Sequence, residues 1–277
     1  MSLTRRTLGK TLLAGAAALP VAASETGKFP LPAGYSVADM GGLKYFAPAK
    51  PEHIVMLIYP GMTALDLIGP QQAFGYVMGA KVDLVWKTTD PVVSDTGVKM
   101  IPSATFKDVT QPPDLIFVPG GGKGTVALMT DPAVLDFLVQ SASGARYVTS
   151  VCSGSLVLGA AGLLRGYRAT SHWAVRDVLP TLGAELTAGR IVEDRTRITA
   201  GGVTAGIDFG LYLAAKLRGE DYGRSVELML EYDPHPPFHS GTPAEARADI
   251  RDVMTKMYAP LAKAAMASAV MAKARWT

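Results

Sequence analysis

Cysteine is almost absent from this chain: Cys152 is the only one in 277 residues. No intrachain disulfide can form, so the fold has to hold without covalent cross-links. Long apolar runs are also missing. No stretch reaches the roughly 18 residues that a bilayer-spanning helix needs, which argues against stable membrane insertion. Histidine is scarce, with four copies. His235 and His239 are separated by prolines and lack helical ligand spacing, so neither a metal nor another cofactor is assigned. Charge of one sign is not in excess either. The formal +3 comes from Arg5, Arg6 and Lys10, and the remaining 24 basic residues equal the 24 acidic ones. A balanced chain exerts no general pull on phosphate backbones, so the expected partner is a small molecule and not nucleic acid.

What is present is an ordinary globular composition, long enough to bury a sizeable core. Residues 1–23 contain no acidic residue and read as a targeting segment. Arg5-Arg6 followed by an apolar stretch and then Val21-Ala22-Ala23 is similar to a twin-arginine export signal, which implies the periplasm. Residues 24–50 are rich in Pro, Gly and short polar residues and suggest a linker or an extended arm.

From His53 onward strands and helices alternate. The runs Ile54–Tyr59, Lys81–Trp86, Leu115–Val118 and Tyr147–Val151 read as strands. Thr63–Val77 reads as a helix with Leu65, Ile68, Gln72 and Tyr76 on one side, broken or kinked at Pro70. Short β pieces are expected over 90–107, and further helices over Pro132–Ser141, Ser155–Leu164, Trp173–Leu182, Val203–Leu217 and Tyr222–Leu230. Ile191–Glu193 and Arg197–Thr199 suggest a late hairpin. The alternation predicts an α/β fold, with a mostly parallel central sheet in a flavodoxin-like three-layer sandwich. The α/β domain is placed at 51–241, with a C-terminal helical extension at 242–277. Thr242-Pro243-Ala244-Glu245 predicts a capping box at the start of that extension. Ile250, Val253, Met254 and Met257 form a stripe expected to pack on the same domain, and Pro260 is expected to interrupt the helix.

The chemistry centres on Cys152. Ser150-Val151-Cys152-Ser153-Gly154 carries small residues two positions before and after the cysteine, as a sharp strand-to-helix turn requires. Such a turn sets the thiol at a helix start, which favours thiolate, and aims the Ser153 amide at developing negative charge. Asp66 is a carboxyl in an apolar segment. It could stay protonated and relay a proton to sulfur, or it could bond backbone amides at a helix start. Gly120-Gly121-Gly122 follows a strand and could present amides to an oxyanion or form only a tight turn. His172, twenty positions after Cys152, suits a nucleophile–base pair or a structural role. Ligands of parallel sheets bind beyond the carboxyl ends of strands, where Asp66, Gly121 and Cys152 all fall.

Together these pieces resemble the ThiJ/PfpI superfamily, with its class I glutamine-amidotransferase-like fold. Within it the closer likeness is to the isonitrile hydratase family, through Thr63–Pro70, Val151–Leu164, Ala169–Ala174, Asp208-Phe209-Gly210 and Glu231-Tyr232-Asp233-Pro234. The resemblance implies an enzyme that hydrates R–N≡C to an N-substituted formamide. It implies Cys152 as nucleophile, Asp66 as proton donor, Gly121 and Ser153 as oxyanion donors and His172 near the sulfur. Ser153 stands where the resemblance implies Thr. Family habit implies a homodimer, and a cytoplasmic place in contrast to the export signal. Other cysteine-dependent hydrolysis or adduct repair, ligand sensing and redox sensing are the competing readings. The His-x-Glu pair of glutaminases is missing.

Overall fold

The computed structural model describes Lys44 and residues 51–276, so the export segment 1–23 and almost all of the arm 24–50 lie outside the described residues. The main sheet has seven strands. In chain order these are β1 (His53–Leu57), β2 (Lys81–Trp86), β5 (Ala104–Thr105), β6 (Leu115–Val118), β7 (Tyr147–Val151), β10 (Ile191–Asp194) and β11 (Arg197–Ala200). Two two-stranded ribbons pair β3 (Val92–Val93) with β4 (Lys99–Met100), and β8 (Arg168–Ala169) with β9 (Glu185–Leu186). The main sheet runs β10-β11-β7-β6-β1-β2-β5, and every neighbouring pair is parallel except the β10–β11 hairpin.

The helices are α1 (Ala64–Gly75), α2 (Gly122–Leu128), α3 (Pro132–Ala142), α4 (Gly154–Ala160), α5 (Ala205–Arg218), α6 (Glu220–Met229) and α7 (Ala248–Lys273). One layer consists of α1, α5 and α6. The other consists of α2, α3, α4 and α7. The three-layer sandwich expected from the alternation is therefore present. Strands β1, β6 and β7 are almost wholly buried, because helices cover both faces of the sheet. The order reverses between β1, which continues to β2 on one side, and β6, which lies on the other. That switch point opens a crevice at the carboxyl ends of β1 and β6, with β7 next to it.

Several local expectations are corrected. Helix α1 runs through Pro70 without a break. Pro70 is buried, and its ring carbons are the nearest neighbours of Gly206, while its backbone lies against Gly210 of α5. Close helix approach thus offsets the one backbone bond that proline removes. The side of α1 bearing Leu65 and Ile68 faces outward, with both about 40% exposed, and the buried face is Asp66, Leu67, Pro70, Ala73 and Phe74. The apolar spacing was real, but a carboxyl took the inner position. The segment expected as helix Trp173–Leu182 is a 3-10 turn over Arg176–Leu182, which contains Pro180. Helix α2, which starts in the glycine cluster, had no apolar periodicity to announce it.

The C-terminal extension differs most. Thr242 and Glu245 do exchange reciprocal bonds of 3.0 and 3.3 Å, but they close an isolated turn, and α7 begins at Ala248. Pro260 does not interrupt α7. Ile250, Val253 and Met257 are 41–64% exposed, and of that stripe only Met254 is half-buried, so it packs on the domain only in part. The contacts come later, from Ala265, Ala269 and Ala272, and the Trp276 indole N–H donates to Ala160 O at 3.1 Å.

The α1–α5 contact holds Asp66 in place. A Cβ added at Gly210 would sit 2.8 Å from Ala73 Cβ and 3.1 Å from Pro70 Cα, so the helices would have to separate. Gly210→Ala is expected to lower stability by about 1–3 kcal/mol, the usual cost of overpacking, as read by urea unfolding.

Candidate active site

Strand β7 leads directly into Cys152, whose φ is +57°. This left-handed conformation is uncommon for a non-glycine residue and marks the sharp elbow that the small flanking residues predicted. The turn is held from all sides. Cys152 N–H donates to Ala200 O and Gly201 O at 3.0 Å each. Its carbonyl accepts from Ser171 Oγ at 3.0 Å and Ser155 Oγ at 3.3 Å. Gly154 is required, since a Cβ there would lie 2.2 Å from Val118 O. Ser150, in the place where the serine version of this elbow has Gly, is fully buried with an unpartnered hydroxyl.

Asp66 faces the cysteine across Gly120. A Cβ on Gly120 would fall 2.6 Å from Cys152 Cβ, 2.7 Å from Asp66 Oδ2 and 2.7 Å from Ser153 N, so only glycine fits between them. Asp66 is fully buried, and neither carboxyl oxygen has a hydrogen-bond partner of good geometry. It does not cap its helix. The Ala64 amide is met instead by Asp95 Oδ1 at 3.3 Å. Burial pushes the Asp66 carboxyl up to about 7. The Cys152 thiol and the Gly120 amide pull it down, and the charge of Asp95 pushes it further up. Asp95 was not singled out from the sequence, because nothing in its turn marks it as a neighbour of α1.

Burial also raises the Cys152 thiol well above its ordinary range, and the Asp66 charge adds to this. Only the Ser153 amide and hydroxyl oppose it. The thiolate expected from a helix start is thus not the resting form. Helix α4 has seven residues, and Cys152 is only 6% exposed, so desolvation outweighs the short helix. Cysteine and aspartate form a buried pair in which the resting proton sits on sulfur.

Ser153 is fixed by a chain of hydroxyls. Gly121 N–H donates to Ser153 Oγ at 3.1 Å, and Thr125 Oγ1 lies 2.9 Å from the same oxygen. Tyr59 OH donates to Pro119 O at 2.9 Å and lies 3.0 Å from Thr125 Oγ1. Tyr59 has one proton, and burial keeps it on the phenol. Since that proton goes to Pro119 O, Thr125 donates to Tyr59, and Ser153 donates to Thr125. The Gly121 amide, expected to face a substrate oxygen, is engaged by Ser153 Oγ in this arrangement. Tyr59 and Thr125 escaped the sequence reading because they resemble core residues of β1 and α2.

His172 lies on the far side of the sulfur. A Cβ on Gly202 would be 2.2 Å from His172 Cδ2 and 3.2 Å from Cys152 Sγ, so the ring edge and the thiol border the same small space over Gly202. Ala174 N–H donates to His172 Nδ1 at 3.3 Å, and burial lowers the imidazole's pKa, which favours the neutral ring. The outer face of the ring packs on Trp173 and on Tyr258 of α7, at 5.6 and 5.3 Å between centroids. Among the described residues no group of three His, Cys, Asp or Glu side chains could hold a metal ion.

A family profile described as the DJ-1/PfpI family matches residues 52–216. The chain is 50% identical over 210 residues to a protein named isonitrile hydratase from Pseudomonas putida, covering 76% of this chain and 91% of that one. A crystal structure of a THiJ/PfpI family protein from Pseudomonas syringae superposes with a TM-score of 0.80 at 46% identity, covering 88% of this chain and 98% of that one. DJ-1 from Schizosaccharomyces pombe shares the fold at a TM-score of 0.58 and 22% identity, over 66% of this chain and all of that one. An elbow cysteine, a buried acid at the first strand–helix turn and these matches lead to one conclusion: the chain belongs to the DJ-1/PfpI family.

Proposed function

We propose that this protein hydrates an isonitrile, R–N≡C, to the N-substituted formamide. The observation that carries the reading is the pairing of Cys152 with the fully buried Asp66 carboxyl, in a chain 50% identical over 210 residues to an isonitrile hydratase. An isonitrile carbon must receive both a nucleophile and a proton. A thiol and a carboxyl that share one proton supply both at one point.

In this reading Asp66 carboxylate takes the Cys152 proton as sulfur bonds to the isonitrile carbon, then passes that proton to the same carbon. The product is a thioimidate, R–N=CH–S–Cys. Water then adds to its carbon, its oxygen bonding there while one proton reaches nitrogen through Asp66. The carbon–sulfur bond breaks, the remaining hydroxyl proton returns to sulfur, and R–NH–CHO leaves. The Ser153 amide lies beside the developing charge. When sulfur turns anionic, the Ser153 hydroxyl has a second acceptor besides Thr125, which lowers the barrier to thiolate. Ser153 lacks the methyl that would hold a threonine in one rotamer. The Gly121 amide and Thr125 hold its hydroxyl instead. His172, neutral and with Nδ1 engaged by the Ala174 amide, serves as a wall beside the sulfur, and the proton is carried by Asp66. Export to the periplasm and a homodimer remain part of the proposal. The outward apolar faces of α1 and α7 offer surfaces for a second copy.

Cyclohexyl isocyanide incubated with the protein is expected to give N-cyclohexylformamide by mass spectrometry. Cys152→Ala should abolish turnover and Asp66→Asn should lower it at least 1000-fold. An alanine variant as active as the parent would end the reading. Because the pair works only with Asp66 ionised, kcat/KM should rise with pH through about 7.

The same carboxyl sets a stability trend. In the folded chain Asp66 holds its proton up to about pH 7, but in the unfolded chain only to about pH 4. Between those values the folded state binds more protons, so stability falls as pH rises. At about 1.4 kcal/mol per pKa unit the contribution is on the order of 4 kcal/mol. Relative to the parent, Asp66→Asn should therefore gain stability from pH 4 to pH 8 in urea unfolding. A parallel pair of pH curves would contradict a raised pKa.

Thr125→Val should lower kcat about tenfold with little change in KM. Thr125→Ser, which keeps the hydroxyl, should restore it.

A further inference from the structure

A groove of about 670 Å³ lies beside the site and ends at Gly202. Its floor is the start of α5, with Thr204 and Ile207. Its opposite wall is the segment 231–245, which includes Pro234, Pro236 and Phe238. This wall is built and not a slack loop. Glu231 adopts φ +49°, a left-handed turn that sends Tyr232 back toward α5. There Tyr232 OH donates to Asp208 Oδ1 at 2.6 Å, and Arg190 pairs with the other oxygen of the same carboxylate. Three prolines stiffen the middle, and the Thr242–Glu245 exchange closes the far end. Phe238 stands 77% exposed on this wall, a large ring turned to solvent beside a concavity.

The catalytic pair needs no such space. An isonitrile group is linear and two heavy atoms long, and Cys152 and Asp66 are buried around it. The groove falls in the size range of small-molecule sites, several times the volume of a simple alkyl group. Gly202 lines the groove, and the space where its Cβ would stand is 3.2 Å from Cys152 Sγ and 2.2 Å from His172 Cδ2, so the groove meets the surroundings of the sulfur at the edge of the His172 ring. A linear group held against sulfur beside that edge has the groove as room for its nitrogen substituent.

We propose that the groove between α5 and the 231–245 wall is the subsite for the isonitrile's N-substituent, and that it selects an apolar, ring-bearing substituent that Phe238 covers. This rests on the hydration reading for its substrate and on the groove alone for its access route. Arg190 in the floor is paired with Asp208, and the wall also carries His235, His239 and Glu245, so the apolar surface open to a substituent is that of Ile207, Pro234, Pro236 and Phe238.

The test compares benzyl isocyanide with methyl isocyanide on the parent and on Phe238→Ala, a surface change that leaves the core untouched. The parent should show a kcat/KM at least tenfold higher for the benzyl compound. Phe238→Ala should remove most of that preference through KM, raising KM for the benzyl compound about fivefold more than for methyl isocyanide. Equal effects on both compounds, or none on either, would overturn the subsite. If neither compound is hydrated, the hydration reading fails separately. The groove is then judged by alkylation of Cys152, where Phe238→Ala should lower the rate ratio of N-benzyl iodoacetamide to iodoacetamide about tenfold. An unchanged ratio would overturn the route as well.

Discussion

A fully buried carboxyl group with no charged partner of opposite sign beside it is the constraint around which this molecule is arranged. Isolating Asp66 is unfavourable, and the surrounding structure holds it there. Pro70 and the small residues of α1 let α5 approach closely, Asp95 relieves Asp66 of any capping duty, and Gly120 leaves room for nothing but the contact with Cys152. The raised proton affinity of the carboxyl follows from that isolation, and the reactivity of the sulfur follows from the carboxyl.

The elbow shows how two unfavourable features are balanced against one another. Cys152 sits in a left-handed backbone conformation inside a desolvated pocket, and both would be unstable alone. Bonds to its amide and carbonyl from β11, α4 and Ser171 fix the backbone. The sulfur remains the one part of the residue that those bonds leave unengaged. Reactivity is therefore local to a single atom on a rigid frame, an arrangement suited to a reaction in which the geometry of attack decides the rate.

Much of this was legible in the residues. Four strands were legible, of which β1, β6 and β7 are buried, and their alternation with helices pointed to the parallel sheet and its functional edge. Cys152 was legible because small neighbours at two-residue offsets mean an elbow, and Asp66 because a lone acid among Leu65, Leu67 and Ile68 is out of place. What could not be read was tertiary. Pro70 and Pro260 look like breaks until neighbouring surfaces are known. Leu65, Ile68, Ile250 and Met257 look like core, yet apolar spacing does not say which face is covered. Tyr59, Thr125, Asp95 and Gly202 reach the site only because the ends of β1, β6 and β11 and the β3–β4 turn converge.

The tilted contact of Tyr258 with His172 ties the site to a segment made late in synthesis. Tyr258 follows Cys152 by roughly a hundred residues. At ribosomal rates of about 5–20 residues per second, the nascent chain carries its thiol for about 5–20 s before that aromatic ring exists to close the outer wall. During that interval His172 and Trp173 lack the ring they pack against, so the wall beside the sulfur is completed only when the C-terminal helix docks.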